Sequence, residues 1–150
     1  MVQHRVEEVI TMDPRDRADL AWKLLTNFGG FPAIMSNVTR VVVTHSGGEG
    51  YGESEWFVDI EGAPLRWKER DRIDPQARRI DFEAFEGDFE TFVGSWNLEQ
   101  PGPRELRIRC SVTYDLGIPV IDEVLGHILE EKMSTNLRAM LLAIRDRLTS

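Results

Sequence analysis

The sequence predicts an α+β domain: a curved, seven-stranded antiparallel sheet wrapped around a long C-terminal helix, with two short helices after the first strand. Three observations carry this. Apolar residues alternate with polar ones at a period of two through residues 37–115. The stretches between these runs are short and rich in Gly, Pro and Asp, too brief for crossover connections, so neighbouring strands are antiparallel. After Pro119 the period becomes helical and stays so almost to the end of the chain.

The elements follow in order. Residues 2–10 read as a first strand. Asp13-Pro14 then opens a helix, with Asp13 as N-cap and Pro14 at the first helical position. That helix carries Leu20, Leu24 and Leu25 and stops before Gly29-Gly30. Residues 31–35, Phe-Pro-Ala-Ile-Met, form a second short helix or turn. Six strands follow, marked by Val41/Val43, Ser54/Trp56/Val58/Ile60, Leu65/Trp67, Ile80/Phe82/Ala84, Phe92/Trp96/Leu98 and Leu106/Ile108/Cys110/Val112/Tyr114. In the last helix Leu125, Ile128, Leu129, Met133, Leu137, Met140, Leu141, Ile144 and Leu148 make one apolar stripe. The simplest way to bury that stripe is against the apolar face of the sheet.

Composition narrows the function classes. A chain of 150 residues with 41% hydrophobic and 29% charged residues reads as one soluble globular domain, residues 1–150. Its 18 Lys and Arg against 26 Asp and Glu leave a net charge of −8. That sign argues against unspecific nucleic-acid binding, which draws its affinity from basic side chains on phosphates, and against a surface held to anionic lipid. Cys110 is the only cysteine, which rules out an intrachain disulfide and a thiolate zinc site. The longest unbroken apolar run, 139–144, is far too short to span a membrane, and the N-terminal residues lack the apolar core of a signal peptide. A cytoplasmic monomer or weak homodimer is expected. His4, His45 and His127 are too scattered to hold a metal. No Ser sits in a Gly-x-Ser-x-Gly elbow, and Gly47-Gly48-Glu49-Gly50 lacks the Gly-Lys-Ser/Thr of a phosphate loop, so it reads as a hairpin tip.

The turns set an expected register. With Ile60 opposite Leu65, Asp59 faces Arg66, Glu55 faces Arg70 and Glu53 faces Arg72 on the outer surface. With Ile73 opposite Ile80, Arg72 faces Asp81 and Arg70 faces Glu83. Arg66, Lys68, Arg70 and Arg72 then form a solvated basic stripe between two acidic ones, and Asp81 and Glu83 turn outward. On the inner face Trp67, Glu69 and Asp71 alternate along one strand, with the two carboxylates about 7 Å apart along the chain. Across the sheet this register gives the rows Ser54, Asp71, Phe82, Gly94, Cys110 and Trp56, Glu69, Ala84, Phe92, Val112. Small residues in the first row leave space between sheet and helix.

An apolar cavity with a few polar groups is the expected result. Glu69 and Asp71 are its candidate catalytic residues, because a carboxyl in an aromatic pocket is held toward its protonated form, the more so beside a second carboxyl. The expected ligand contacts are Trp56, Trp67, Phe82, Phe92 and Trp96 from the sheet, with Met133 and Asn136 from the helix. Phe31, Ile34 and Met35, hinged at Gly29-Gly30, are expected to close its mouth. Cys110 is expected to be buried and inert.

The string also resembles a known family. Phe31-Pro32, Gly-Glu-Ser-Glu-Trp56, Leu65-Arg-Trp67-Lys-Glu69, Arg79-Ile80-Asp-Phe82, Gly87-Asp-Phe89, Gly94-Ser-Trp96 and Asp115-Leu-Gly-Ile-Pro119 are similar to the START-like (Bet v 1-type, helix-grip) superfamily. More narrowly they resemble its polyketide cyclase/aromatase and coenzyme-Q-binding branch. The resemblance implies a sheet gripping the C-terminal helix with a cavity between them. For polyketide members it implies a poly-β-ketone chain delivered by an acyl carrier protein, closed by aldol addition and dehydrated, with no cofactor. Similar aromatase/cyclases carry inward Trp, Ser and Arg on the strand corresponding to residues 67–71. Here Trp67 matches, and Glu69 and Asp71 stand where Ser and Arg would be.

Two functions fit. One is a cyclase/dehydratase in which Glu69 and Asp71 divide the acid and base roles, in either order. The alternative is a lipid or quinone carrier in which the same cavity only binds.

Overall fold

The computed structural model describes residues 3–13, 17–46, 50–60, 62–117 and 119–149, and the side chains of these apart from 45, 46 and 119–127. Seven strands form one antiparallel sheet: β1 (His4–Met12), β2 (Val38–Ser46), β3 (Tyr51–Ile60), β4 (Ala63–Asp74), β5 (Arg79–Gly87), β6 (Thr91–Gly102) and β7 (Glu105–Asp115). Their order across the sheet is β1-β7-β6-β5-β4-β3-β2. Strands β2 to β7 are a meander of hairpins, and β1 returns to pair with β7, from His4 opposite Tyr114 to Met12 opposite Leu106. Two short helices, α1 (Ala18–Thr26) and α2 (Phe31–Ile34), joined by a 3-10 turn over Phe28–Gly30, lie between β1 and β2. The long helix α3 (Pro119–Thr149) closes the chain. This is the helix-grip arrangement.

Strand and helix periods decide what is buried. On β3, Ser54, Trp56, Val58 and Ile60 point inward; on β7, Leu106, Ile108, Cys110, Val112 and Tyr114 do. From α3, Met133, Leu137, Met140, Leu141, Ile144 and Leu148 cover them. Each of these side chains is nearly closed to solvent, and burial on this scale contributes roughly 1.5–3 kcal/mol per large aliphatic group.

Several details differ from expectation. The first strand lies two residues later, at His4–Met12. The first helix begins at Ala18, its opening bond running from the Ala21 N–H to the Arg17 carbonyl. Asp13 is therefore not its cap, and the expected Pro14 position lies outside the described residues. Ile128 is 52% exposed and does not belong to the buried stripe. The side chains of Leu125 and His127, and residues 47–49 of the glycine-rich tip, are also outside the described set.

The register corrections matter most. Ile60 pairs with Ala63, not Leu65, because the hairpin closes in two residues, with Gly62 at φ +93 and its N–H donated to Asp59 Oδ1. Trp56 thus faces Trp67, Ser54 faces Glu69, and Glu55 faces Lys68. Likewise β6 runs on through Gly102, so Trp96 faces Cys110 and Phe92 faces Tyr114. Both offsets are two residues. Inward residues therefore stay inward, since only an odd slip exchanges the faces. Between β4 and β5, Ile73 faces Ile80, Asp71 faces Phe82 and Glu69 faces Ala84, as expected.

On the outer face the arginines point away from α3, but their ion pairs differ from those expected. Arg66 binds Glu55 and Glu86, and Lys68 also reaches Glu86 at 3.4 Å. Arg70 stacks over the Phe85 ring at 4.3 Å, and Asp81 is held by Arg79 at 2.8 Å. The expected Arg72–Asp81 pair faces across the strands without forming, because Arg79 occupies Asp81.

Candidate functional site

Where the sheet curves over α3, aromatic rings form a continuous wall. Trp56 and Trp67, opposite one another on β3 and β4, stack with planes 2° apart and centroids 6.0 Å apart. Phe92 packs on Trp67 at 4.5 Å, and Phe82 on Phe92 at 5.6 Å. Enclosed by this wall and α3 is a cavity in which the centres of water molecules can occupy about 50 Å³. Trp56, Trp67, Phe82, Phe92, Trp96 and Cys110 line it from the sheet, and Met133, Asn136, Leu137 and Met140 from α3. Val6, Val58, Ile60 and Val112 complete it together with one carboxyl, Glu69.

Glu69 and Asp71 are 3% and 2% exposed, so both carboxyls have lost their water. Their replacements are few and specific. The Trp67 indole N–H donates to Glu69 Oε1 at 2.7 Å. Ser54 Oγ donates to Asp71 Oδ2 at 2.6 Å and accepts the Trp56 indole N–H at 2.9 Å. The two buried carboxyls also act on each other, and two negative charges this close without water disfavour one another, so a hydrogen on one of them relieves the pair. Burial pushes the Glu69 carboxyl well above the usual carboxylate range, and the Asp71 hydrogen bond and charge push it the same way. Asp71 is also raised by burial, but the bonds from Glu69 and Ser54 work against that rise. Glu69 is therefore the proton holder and Asp71 the acceptor. No cation among the described residues contributes to either shift.

The two carboxyls are not equivalent. Glu69 lines the cavity; Asp71 does not, and sits behind it against Ser54. The expected Ser54–Asp71 contact exists, though as a diagonal rather than a directly opposed pair.

The other expected contacts divide similarly. Asn136 lines the cavity with its amide oxygen already taken by Asn37 Nδ2 at 2.6 Å, which ties α3 to the start of β2. Phe31 and Met35 are 0% and 1% exposed and do not line the cavity. Phe31 packs on Trp56 at 5.5 Å and on Trp96 at 6.0 Å, supporting the wall from behind. Phe31 is thus a contact of the wall and not of the cavity, and the reason is packing: two aromatic edges hold the ring in place. Gly94 leaves no open space either. A Cβ there would meet Phe82 Cζ at 2.6 Å, so the Phe82 ring fills the gap.

Sequence reasoning passed over Val6, Val58, Ile60, Leu137 and Met140 as cavity lining. Their signal was present in strand and helix period, since Val58 and Ile60 share the parity of Trp56. Cys110 also faces the cavity, with burial pushing its thiol well up, which makes it unreactive. Among the described residues no group of His, Cys, Asp and Glu could hold a metal ion, and no helix is long and apolar enough to cross a membrane.

A family model described as polyketide cyclase / dehydrase and lipid transport matches residues 17–141. The chain belongs to this family. Solved structures place the family's fold over nearly the whole chain. A protein from Thermus thermophilus is similar with a TM-score of 0.83 and 24% identity, covering 99% of this chain and 97% of its own. The Zhui aromatase/cyclase from a Streptomyces species is similar at a TM-score of 0.78 and 21% identity, covering 98% and 96%. A START superfamily protein from Mycobacterium smegmatis is similar at 0.80 and 15%, covering 97% of both chains. At these identities the likeness establishes the fold. No curated protein matches the chain.

Proposed function

We propose that this chain is a cofactor-independent cyclase/dehydratase that closes a ring in a carrier-bound poly-β-ketone by aldol addition and then removes water. The observation that carries this reading is Glu69: an uncharged, proton-bearing carboxyl facing an aromatic cavity, backed by a second carboxyl that can take its proton. Aldol closure needs a base for a hydrogen between two carbonyls, then an acid for the alkoxide. One group at the cavity can do both. As the Glu69 proton moves to Asp71, the Glu69 carboxylate takes the hydrogen from the substrate carbon. That carbon's electron pair forms the new bond to the second carbonyl carbon, and Glu69 returns its proton to the resulting alkoxide. In dehydration the Glu69 carboxylate takes a hydrogen from the carbon next to the new carbinol, that electron pair forms the C=C bond, and Glu69 returns the proton to the departing hydroxyl, which leaves as water; Asp71 then hands its proton back to Glu69. Asp71 is a positioning residue that acts through Glu69, held in place by Ser54. The aromatic wall excludes bulk water and restricts the chain to few conformations.

A lipid or quinone carrier is the second reading. It is favoured by a cavity lining that is apolar apart from Glu69, Asn136 and Cys110. Replacing Glu69 separates the two. Glu69→Gln keeps shape and can hydrogen-bond to both Trp67 and Asp71, but it cannot shuttle a proton. Under the catalytic reading, product formation from a carrier-bound poly-β-ketone falls by about 10²–10⁴-fold with the fold retained. Unchanged product formation in Glu69→Gln would remove Glu69 from the chemistry, and product formation no faster with the wild-type chain than without it would leave the carrier reading.

A further inference from the structure

The cavity beside Glu69 holds little more than water, so any ligand that reaches Glu69 must extend beyond it. A second hollow of about 340 Å³ lies on the protein surface next to it. Ile60 and Leu65 of the β3–β4 hairpin, Leu116 after β7, and Ile128, Leu129 and Lys132 of α3 line this groove. Ile128 is 52% exposed there, an apolar side chain left in water with no core role. Lys132 is the only charged side chain lining the groove among the described residues.

Ile60 lines both hollows, and it is 2% exposed. Its side chain is the partition between them. Lys132 and Met133 are consecutive on α3, one lining the groove and the other the cavity, so the two hollows lie at the same level of the helix on adjoining sides. From this continuity we infer that groove and cavity are one binding channel for an elongated amphiphile. Its apolar chain runs along Ile128 and Leu129, passes Ile60 and ends among the tryptophans beside Glu69. Its anionic end group stays at Lys132. Ile60 is the last residue of β3, beside the turn at Gly62, so displacing this hairpin end moves one strand terminus, which is cheaper than parting the packed α3–sheet seam. The inference rests on the cavity serving an apolar ligand, as proposed above. It concerns where that ligand lies and what its outer end carries, not whether it reacts.

The test uses 11-bromoundecanoate, whose terminal bromine quenches tryptophan fluorescence on contact, and the corresponding alcohol. Trp56, Trp67 and Trp96 line the cavity, whereas Trp22 lies on α1 outside it. In the wild-type chain the acid should quench most of the fluorescence saturably. Ile60→Phe should abolish the quenching by blocking the partition. Ile128→Glu, at an exposed position that tolerates a charge, should do the same by placing a carboxylate in the groove. Lys132→Gln should weaken the acid about two- to five-fold, as for a partly exposed ion pair, and leave the alcohol unchanged. Binding without quenching would confine the ligand to the surface and overturn the channel. So would quenching that survives both Ile60→Phe and Ile128→Glu, and a Lys132→Gln variant that binds the acid as tightly as wild type would overturn the anionic end. These readouts are binding readouts. A channel that passes them while the wild-type chain forms no product from a carrier-bound poly-β-ketone would sink the catalytic reading alone, and loss of turnover in Glu69→Gln without quenching in the wild type would sink the channel alone.

Discussion

The proton shared by Glu69 and Asp71 should be visible in stability as well as in turnover. Both carboxyls are raised above their ordinary values of 4.5 and 3.8, Glu69 strongly so, with burial as the first cause for each. A carboxyl raised on folding keeps a proton that the unfolded chain has already released. Its stabilisation is complete below the unfolded value and is lost as pH rises through the folded one. Above about pH 4.5 the folded pair thus holds one proton more than the unfolded chain, which costs about 1.4 kcal/mol of stability for each further pH unit. In a domain of 150 residues each kcal/mol moves the melting temperature by roughly 2–4 °C. The wild-type melting temperature should therefore fall by about 3–5 °C per pH unit more steeply than that of Glu69→Gln, from pH 5 up to the folded value.

The variant is a close mimic of the protonated side chain. Its amide oxygen can accept the Trp67 indole N–H, and its amide N–H can donate to Asp71, whose Oδ1 has no other partner among the described residues. Near pH 4 the two proteins should melt alike, and by pH 8 the variant should be the more stable. Thermal unfolding followed by circular dichroism at pH 4, 5, 6, 7 and 8 reads the difference directly. Parallel curves across that range, or a wild type that gains stability relative to the variant as pH rises, would refute the shared-proton geometry.

Three further outcomes follow from the same packing. Ser54→Ala leaves the Trp56 indole N–H and Asp71 Oδ2 without their buried partner and should cost about 1–3 kcal/mol in urea unfolding, with Asp71 the less fixed for it. Gly94→Ala puts a methyl 2.0 Å from the Ser111 carbonyl oxygen as well as against Phe82, and since the first contact is backbone it should lower stability by about 1–3 kcal/mol or more on the same assay. Cys110 should resist a disulfide-exchange thiol reagent in the folded protein at pH 8 and react fully in denaturant, because its thiol is buried and pushed toward the protonated form; rapid labelling of the native chain would show that the cavity opens freely.

Strand parity and helix period were enough to place Glu69, Asp71 and the five aromatic residues on the inner face. Those assignments survive both register offsets because each offset is an even number of residues. The same periods mark α3 and its buried seam from Met133 to Leu148. Other features depended on contacts that no local pattern encodes. Which residue faces which across β3–β4 is set by a turn closing at Gly62, and several turns suit the same residues. Whether Gly94 leaves a hole depends on the rotamer of Phe82 on the neighbouring strand, which no sequence signal reports.

The division of labour at the site belongs to that second group. By itself the sequence determined two inward carboxyls on one strand under an aromatic wall, since a pleated strand sends alternate side chains to the same face whatever surrounds it. Tertiary structure alone decided that Glu69 meets the cavity while Asp71 lies behind it on Ser54, that Phe31 braces the wall instead of lining the cavity, and that Ile60 stands between cavity and groove. The physical reason is one of range. Face and period are properties of a few consecutive residues, whereas burial, proton sharing and open space are fixed only when chain segments distant in sequence pack to near-crystalline density.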